Sequence, residues 1–127
     1  MKLRVLNNSL RLRLTRSEVD AVCHDGLVKG HVPFSGANSF SYVLESSPAT
    51  VSPEAHISNN VLTIRIPEAE IKEWGASEQV SICADQLLED GGALKILVEK
   101  DFKCLAPRED EDESDMYPHP EADQETG

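Results

Sequence analysis

An α+β fold, mostly β, is predicted from three observations. Several short segments alternate apolar with polar residues, the period of half-buried strands. Two short stretches carry helix-start signals instead. The whole arrangement also occurs twice, because "NSLRLRLTRSEV" (8–19) returns as "NVLTIRIPEAEI" (60–71). Asn8, Arg13 and Glu18 recur as Asn60, Arg65 and Glu70, each 52 positions on, and Leu10, Leu12, Leu14 and Val19 fall on Leu62, Ile64, Ile66 and Ile71. The match runs back from Leu3 and Val5 to Ala55 and Ile57, and forward from Val22 to Trp74 and from Val28 to Val80. After a two-residue shift, "FSYVLE" from Phe40 overlays "LKILVE" from Leu94. Each half reads as β-β-α-β-β. One such unit has too few apolar residues to offset chain entropy alone, so two are expected to share a core. The expectation is a small barrel closed about a pseudo-two-fold axis, with two short helices.

The elements follow in order. Residues 2–6 and 10–14 alternate as strands, with Asn7-Asn8-Ser9 as the turn. Thr15 is a helix cap, and Glu18 three residues later completes a capping box. Val19, Val22 and Cys23 have inward-facing spacing, and Gly26 can end the helix in a left-handed conformation. Val28–Phe34 and Ser39–Glu45 form a hairpin over "SGAN". Pro53 confines the strand at Glu54–Ser58 to an edge. Pro67 suits a helix start, because its missing N–H costs nothing there. That helix is expected to reach Trp74 and stop at Gly75. Gln79–Ala84 and Ala93–Glu99 are the last strands, joined through "EDGG".

The 127 residues thus make one domain over 1–103, built of repeats at about 1–46 and 52–103, and an acidic, flexible tail over 104–127. Charge divides the chain the same way. The net −11 includes −8 from Arg108–Gly127, where nine acids meet one arginine. Residues 1–46 hold six bases, Lys2, Arg4, Arg11, Arg13, Arg16 and Lys29, against four acids. Aromatic residues make up only 5%, so the core must be aliphatic. Three cysteines are too few for a disulfide framework and read as thiols of a reducing compartment. No segment reads as a signal peptide or a membrane span, and a cytoplasmic location is expected.

The stretches "NNSLRLRL" and "NNVLTIRIPEAEIKEWG" resemble the swapped-hairpin unit of the AbrB and MazE regulators and antitoxins. The positions that carry it are Asn8, Ser9, Arg13 and Leu14 in the first half and Asn60, Arg65, Ile66 and Pro67 in the second. That family carries glycine where this chain has Asn7 and Asn59. The resemblance implies a barrel that in the family needs two chains and here needs one. It also implies DNA contact through basic residues, or an acidic tail lying in a partner's basic groove. The whole chain is similar to a group of small bacterial proteins of unassigned function, which implies that tail and body belong together.

Four candidate sites follow. Lys2 and Arg4 on one strand and Arg11 and Arg13 on the next would make a phosphate or DNA stripe if the strands pair. The bland alternative is a solvated face whose arginine stems cover apolar surface. Phe102, Leu105, Met116 and Tyr117 are the apolar anchors available to a partner-binding arm. The acid run could instead fold back on Arg11, Arg13 and Arg16. Cys104 and His119 are metal-ligand types without ligand spacing, as are Cys23 and His24. For catalysis, a nucleophile must stand beside a base, and neither Cys23 nor Cys83, nor His31 or His56, has such a partner in the pattern. No enzyme activity and no cofactor is expected. The expected function is a non-catalytic binding or regulatory module with an acidic C-terminal arm and a protein partner. A DNA-binding or antitoxin-like regulator, and a metal-binding protein using Cys104 and His119, are the alternatives.

Overall fold

A computed structural model describes residues 1–102. Its elements are β1 (Lys2–Leu6), β2 (Ser9–Leu14), α1 (Arg16–Asp25), β3 (Leu27–Pro33), β4 (Ser39–Ser47), β5 (Glu54–Ser58), β6 (Val61–Pro67), α2 (Glu68–Ala76), β7 (Ser81–Leu87) and β8 (Ala93–Lys100). The β-β-α-β-β order occurs twice, mostly as strand.

The strands form two four-stranded sheets, β1-β2-β8-β7 and β3-β4-β6-β5. Each sheet joins the first hairpin of one unit to the second hairpin of the other. The joints are parallel pairs between units, β2 with β8 and β4 with β6, while each hairpin is antiparallel. Registers obey the internal symmetry. Leu12 lies opposite Val98 and Ile64 opposite Leu44. Lys2 lies opposite Arg13 and Glu54 opposite Arg65. The offset is 52 through α2 and 54 from β7 onward, so Val28 matches Ile82 and not Val80. The two extra residues lie between α2 and β7.

The strands do not close into the expected barrel: among the described residues β1, β7, β3 and β5 all remain sheet edges. Side chains stand where main-chain ladders would close a barrel. The Gln86 carboxamide on β7 accepts from Ala55 N–H on β5 (2.7 Å) and donates to its carbonyl (3.2 Å). Across the other opening, the Tyr42 hydroxyl donates to the Met1 carbonyl at 2.9 Å.

The alternating pattern sends Leu10, Leu12 and Leu14 inward from β2, and Leu62, Ile64 and Ile66 inward from β6, all buried. Leu44, Ile82, Ile96 and Val98 meet them, and Val19, Val22, Ile71 and Trp74 cover them from the helices. No polar side-chain atom buried among the described residues lacks a hydrogen-bond partner. The core is aliphatic but for Trp74, whose indole N–H donates to the Val80 carbonyl at 2.9 Å.

The turns and caps follow from local chemistry. Asn7, Asn59 and Asn60 take positive φ of 49°, 52° and 64°, which asparagine tolerates better than most residues. Thr15 caps α1, and Glu18 completes the box by accepting from Thr15 N–H at 2.9 Å. The chain leaves α1 through Gly26 at φ 85°, as its pattern predicts. Pro67 is the cap residue of α2, one position before the helix begins, and makes no side-chain cap. Proline has no N–H for Glu70 to accept, so this helix has no box.

Gly75 does not end α2, which runs on to Ala76. Its missing side chain serves packing instead. Gly75 and Cys23 are matched positions that meet where the helices cross, and a Cβ at Gly75 would overlap the Cys23 sulfur. A second compensated pair lies in the sheets. A Cβ at Gly30 would overlap the Tyr42 ring, whereas the matched positions carry Ala84 and Ile96.

Candidate functional site

Pairing of β1 with β2 sets Lys2 opposite Arg13 and Arg4 opposite Arg11. Arg11 and Arg13 alternate with the buried Leu10, Leu12 and Leu14, and the register sets Lys2 and Arg4 beside them on the outer face of the sheet. The stripe expected from sequence is therefore assembled. Lys95 on β8 adds a fifth cation to this face, in line with Ser9. Its distance in sequence from the other four concealed it; only the parallel β2–β8 pairing brings it there.

Most of these cations already have carboxylates nearby. Arg13 Nε donates to Glu99 at 2.6 Å, and Arg11 Nε lies 3.7 Å from the same carboxylate. Lys2 Nζ lies 3.3 Å from Asp101 while its side chain is 75% exposed. Arg4 also has a partner. One acid thus serves two arginines, and both cross-strand pairs set cation against cation.

The matched face of the other sheet has a different charge. Arg65 Nε donates to Glu45 at 2.6 Å, the counterpart of Arg13 with Glu99. Glu54 then approaches Arg65 at 3.9 Å from the strand beyond. Where the first sheet has Lys2, Arg4 and Arg11, the second has Glu54, His56 and Thr63. The two ion pairs tie one unit to the other at equivalent places. Only the first sheet's face carries surplus positive charge.

A cleft of about 590 Å³ opens beside this sheet, where the chain leaves β8. Arg16, Val19 and Asp20 of α1 line one side, and Ser77, Lys100 and Phe102 line another. Lys100 is held in place by a hydrogen bond to the Ser77 carbonyl at 2.8 Å and lies 5.8 Å from the centre of the Trp74 ring. Phe102 is 58% exposed at the edge. Of the candidate anchors, Phe102 is described; Leu105, Met116 and Tyr117 lie outside the described residues, as do Cys104 and His119 and the whole acid run.

The other chemistry-bearing groups are dispersed. Cys23 packs between the helices, its sulfur 3.8 Å from the Ile71 carbonyl. Burial and the nearby Asp20 push its thiol up against the pull of Lys100 and Lys72, which keeps it protonated. Cys83 is exposed on the outer face of β7. His24 bonds the Asp20 carbonyl at 2.9 Å, and His31 bonds the Ser41 hydroxyl at 2.9 Å. Among the described residues, no group of three or more His, Cys, Asp or Glu side chains is placed to share a metal ion. No helix of the described residues is long and apolar enough to cross a membrane.

No curated protein matches the chain, and no solved structure matches it. The likeness of each half to the AbrB and MazE unit therefore rests on the motif residues alone. A family model does match, and its span, residues 1–121, takes in the body, the acid run and His119. Body and acidic segment are parts of one family pattern, and the chain belongs to this family of unknown function (DUF7009).

Proposed function

We propose that the protein is a non-catalytic binding module. Its two-sheet body is a scaffold, and the acidic segment after Phe102 is its contact arm. The observation that carries this reading is Phe102 itself, an aromatic 58% exposed on the lip of the cleft, at the root of the acid-rich segment. Exposed aromatics flanked by charge are the usual anchors of protein recognition. Leu105, Met116 and Tyr117 would add anchors, and the acids would select a partner with a basic groove. The family match through residue 121 supports treating this segment as part of the working molecule.

The test compares proteins captured by the full chain, by a chain ending at Pro107, and by Phe102→Ala and Met116→Ala/Tyr117→Ala variants. Partners lost in all three variants support the reading. Partners retained by the shortened chain would refute it.

The stripe of Lys2, Arg4, Arg11 and Arg13 favours a second reading, nucleic-acid binding, because cation faces cation across the strands. A mobility shift at two salt concentrations tests it. Binding that weakens steeply with salt supports this reading, and no binding at low salt removes it.

A further inference from the structure

We propose that the basic outer face of the β1-β2-β8-β7 sheet is a docking surface for the chain's own acid run, Glu109–Asp115. This deepens the arm reading by stating where the arm is held in the absence of a partner. The experiment below contains no partner, so its failure is distinct from the failure of that reading.

The first ground is charge. Like charges directly opposite each other on paired strands are unfavourable, and this face has two such pairs, Lys2 with Arg13 and Arg4 with Arg11. On the matched face, Arg65 has a carboxylate on either side, Glu45 and Glu54. At Arg13 only the Glu99 side is acidic, and Lys2 stands where Glu54 would. An anion laid along β1 would bring negative charge to the place beside Arg13 that Glu54 fills beside Arg65.

The second ground is where the repeat leads. After β4, "SSPATVSPE" (46–54) carries the chain to the start of β5, with Pro53 buried and Val51 95% exposed. After β8 comes "KDFKCLAPR" (100–108) at the same offset of 54, matching Val51 with Leu105 and Pro53 with Pro107. The first copy delivers Glu54 to a position opposite Arg65; its matched residue is Arg108, and the acid run begins one residue later. A second copy on the same course would pass the cleft at Arg16 and end beside the start of β1. That course leads to the sheet with surplus cations, whose edge strand β1 pairs on one side only among the described residues. Seven extended residues span ~23 Å, enough to run the ~17 Å length of a five-residue strand.

The full-length protein decides the matter. Carbodiimide coupling of an equal mixture of ¹⁴N and ¹⁵N chains, read by mass spectrometry, should link Lys2 to an acid among residues 109–115 within one chain. Deleting residues 108–127, or replacing Glu109, Asp110, Glu111, Asp112 and Glu113 by their amides, should shift the amide resonances of β1 and β2. High salt should produce the same shifts in the intact chain. Links found only between chains would overturn the proposal, because the occupant would then be a second copy. Unchanged β1 and β2 resonances in both variants would also overturn it. So would unchanged resonances combined with duplex DNA shifting them in the full chain, because the face would then be a nucleic-acid site.

Discussion

Cys23 and Gly75 occupy equivalent places in the two helices, and each is explained by the other. The sulfur of one fills the space left by the missing side chain of the other. Gly75→Ala should therefore destabilise the protein by about 1–3 kcal/mol, although alanine is the better helix former. In a Cys23→Ala background the new methyl would lie 3.9 Å from the Cys23 Cβ, an ordinary contact, and the penalty should vanish. Urea unfolding of the four proteins measures this coupling, and equal penalties in both backgrounds would show that the helices do not meet there. Leu12 and Ile64, matched and each 1% exposed, should each cost about 2–5 kcal/mol when cut to alanine. Glu18 adds a pH dependence. Partial burial raises its carboxyl, but hydrogen bonds from the Met1 amino group and from Thr15 outweigh this and hold it below the ordinary 4.5. A depressed carboxyl contributes stability that is complete above its unfolded value and is lost as pH falls through the folded one. The stability gap between wild type and Glu18→Gln should thus be full near neutrality and close in acid below about pH 4.5, as unfolding at a series of pH values would show. Core residues and the α1 cap are legible in sequence because period and capping chemistry are local. The role of Gly75 is not, because its reason sits 52 residues away.

At the scale of elements, the inter-unit joints carry the most information. Arg13 with Glu99 and Arg65 with Glu45 repeat one contact, but in different surroundings. Side chains of the first pair are 16% and 15% exposed, those of the second 38% and 37%. Glu99 also faces Arg11. Glu99→Gln should therefore cost about 1–3 kcal/mol and Glu45→Gln less than about 1 kcal/mol, measured by thermal or denaturant unfolding. A larger loss at Glu45 would contradict this ranking. The strands, their hairpin turns and the edge position of β5 can be read from alternation, asparagine or glycine turns and Pro53. The site of the two-residue insertion cannot. Val28 aligns with Val80 or Ile82 equally well by hydropathy, and only strand pairing selects Ile82. The stripe of Lys2, Arg4, Arg11 and Arg13 is legible because its residues lie on adjacent strands, whereas its carboxylate partner Glu99 comes from the other unit.

For the whole molecule, duplication is visible in the sequence, but the hydrophobic pattern does not show the exchange of hairpins. Two copies of β-β-α-β-β could each fold on themselves or share sheets, with the same hydrophobic pattern. Sharing prevails because parallel pairing of β2 with β8 and β4 with β6 puts the most apolar strands of both units at the centres of the sheets. Closure into a barrel is the natural extrapolation from exposed edges. It stops short because the Gln86 carboxamide and the Tyr42 ring occupy the openings between the sheets. The fold therefore depends on pairing between units. Backbone nuclear Overhauser contacts in uniformly labelled protein test it most directly. Contacts between Leu12 and Val98 and between Leu44 and Ile64 are expected; contacts joining β2 to β4 and β6 to β8, each within its own unit, would contradict it.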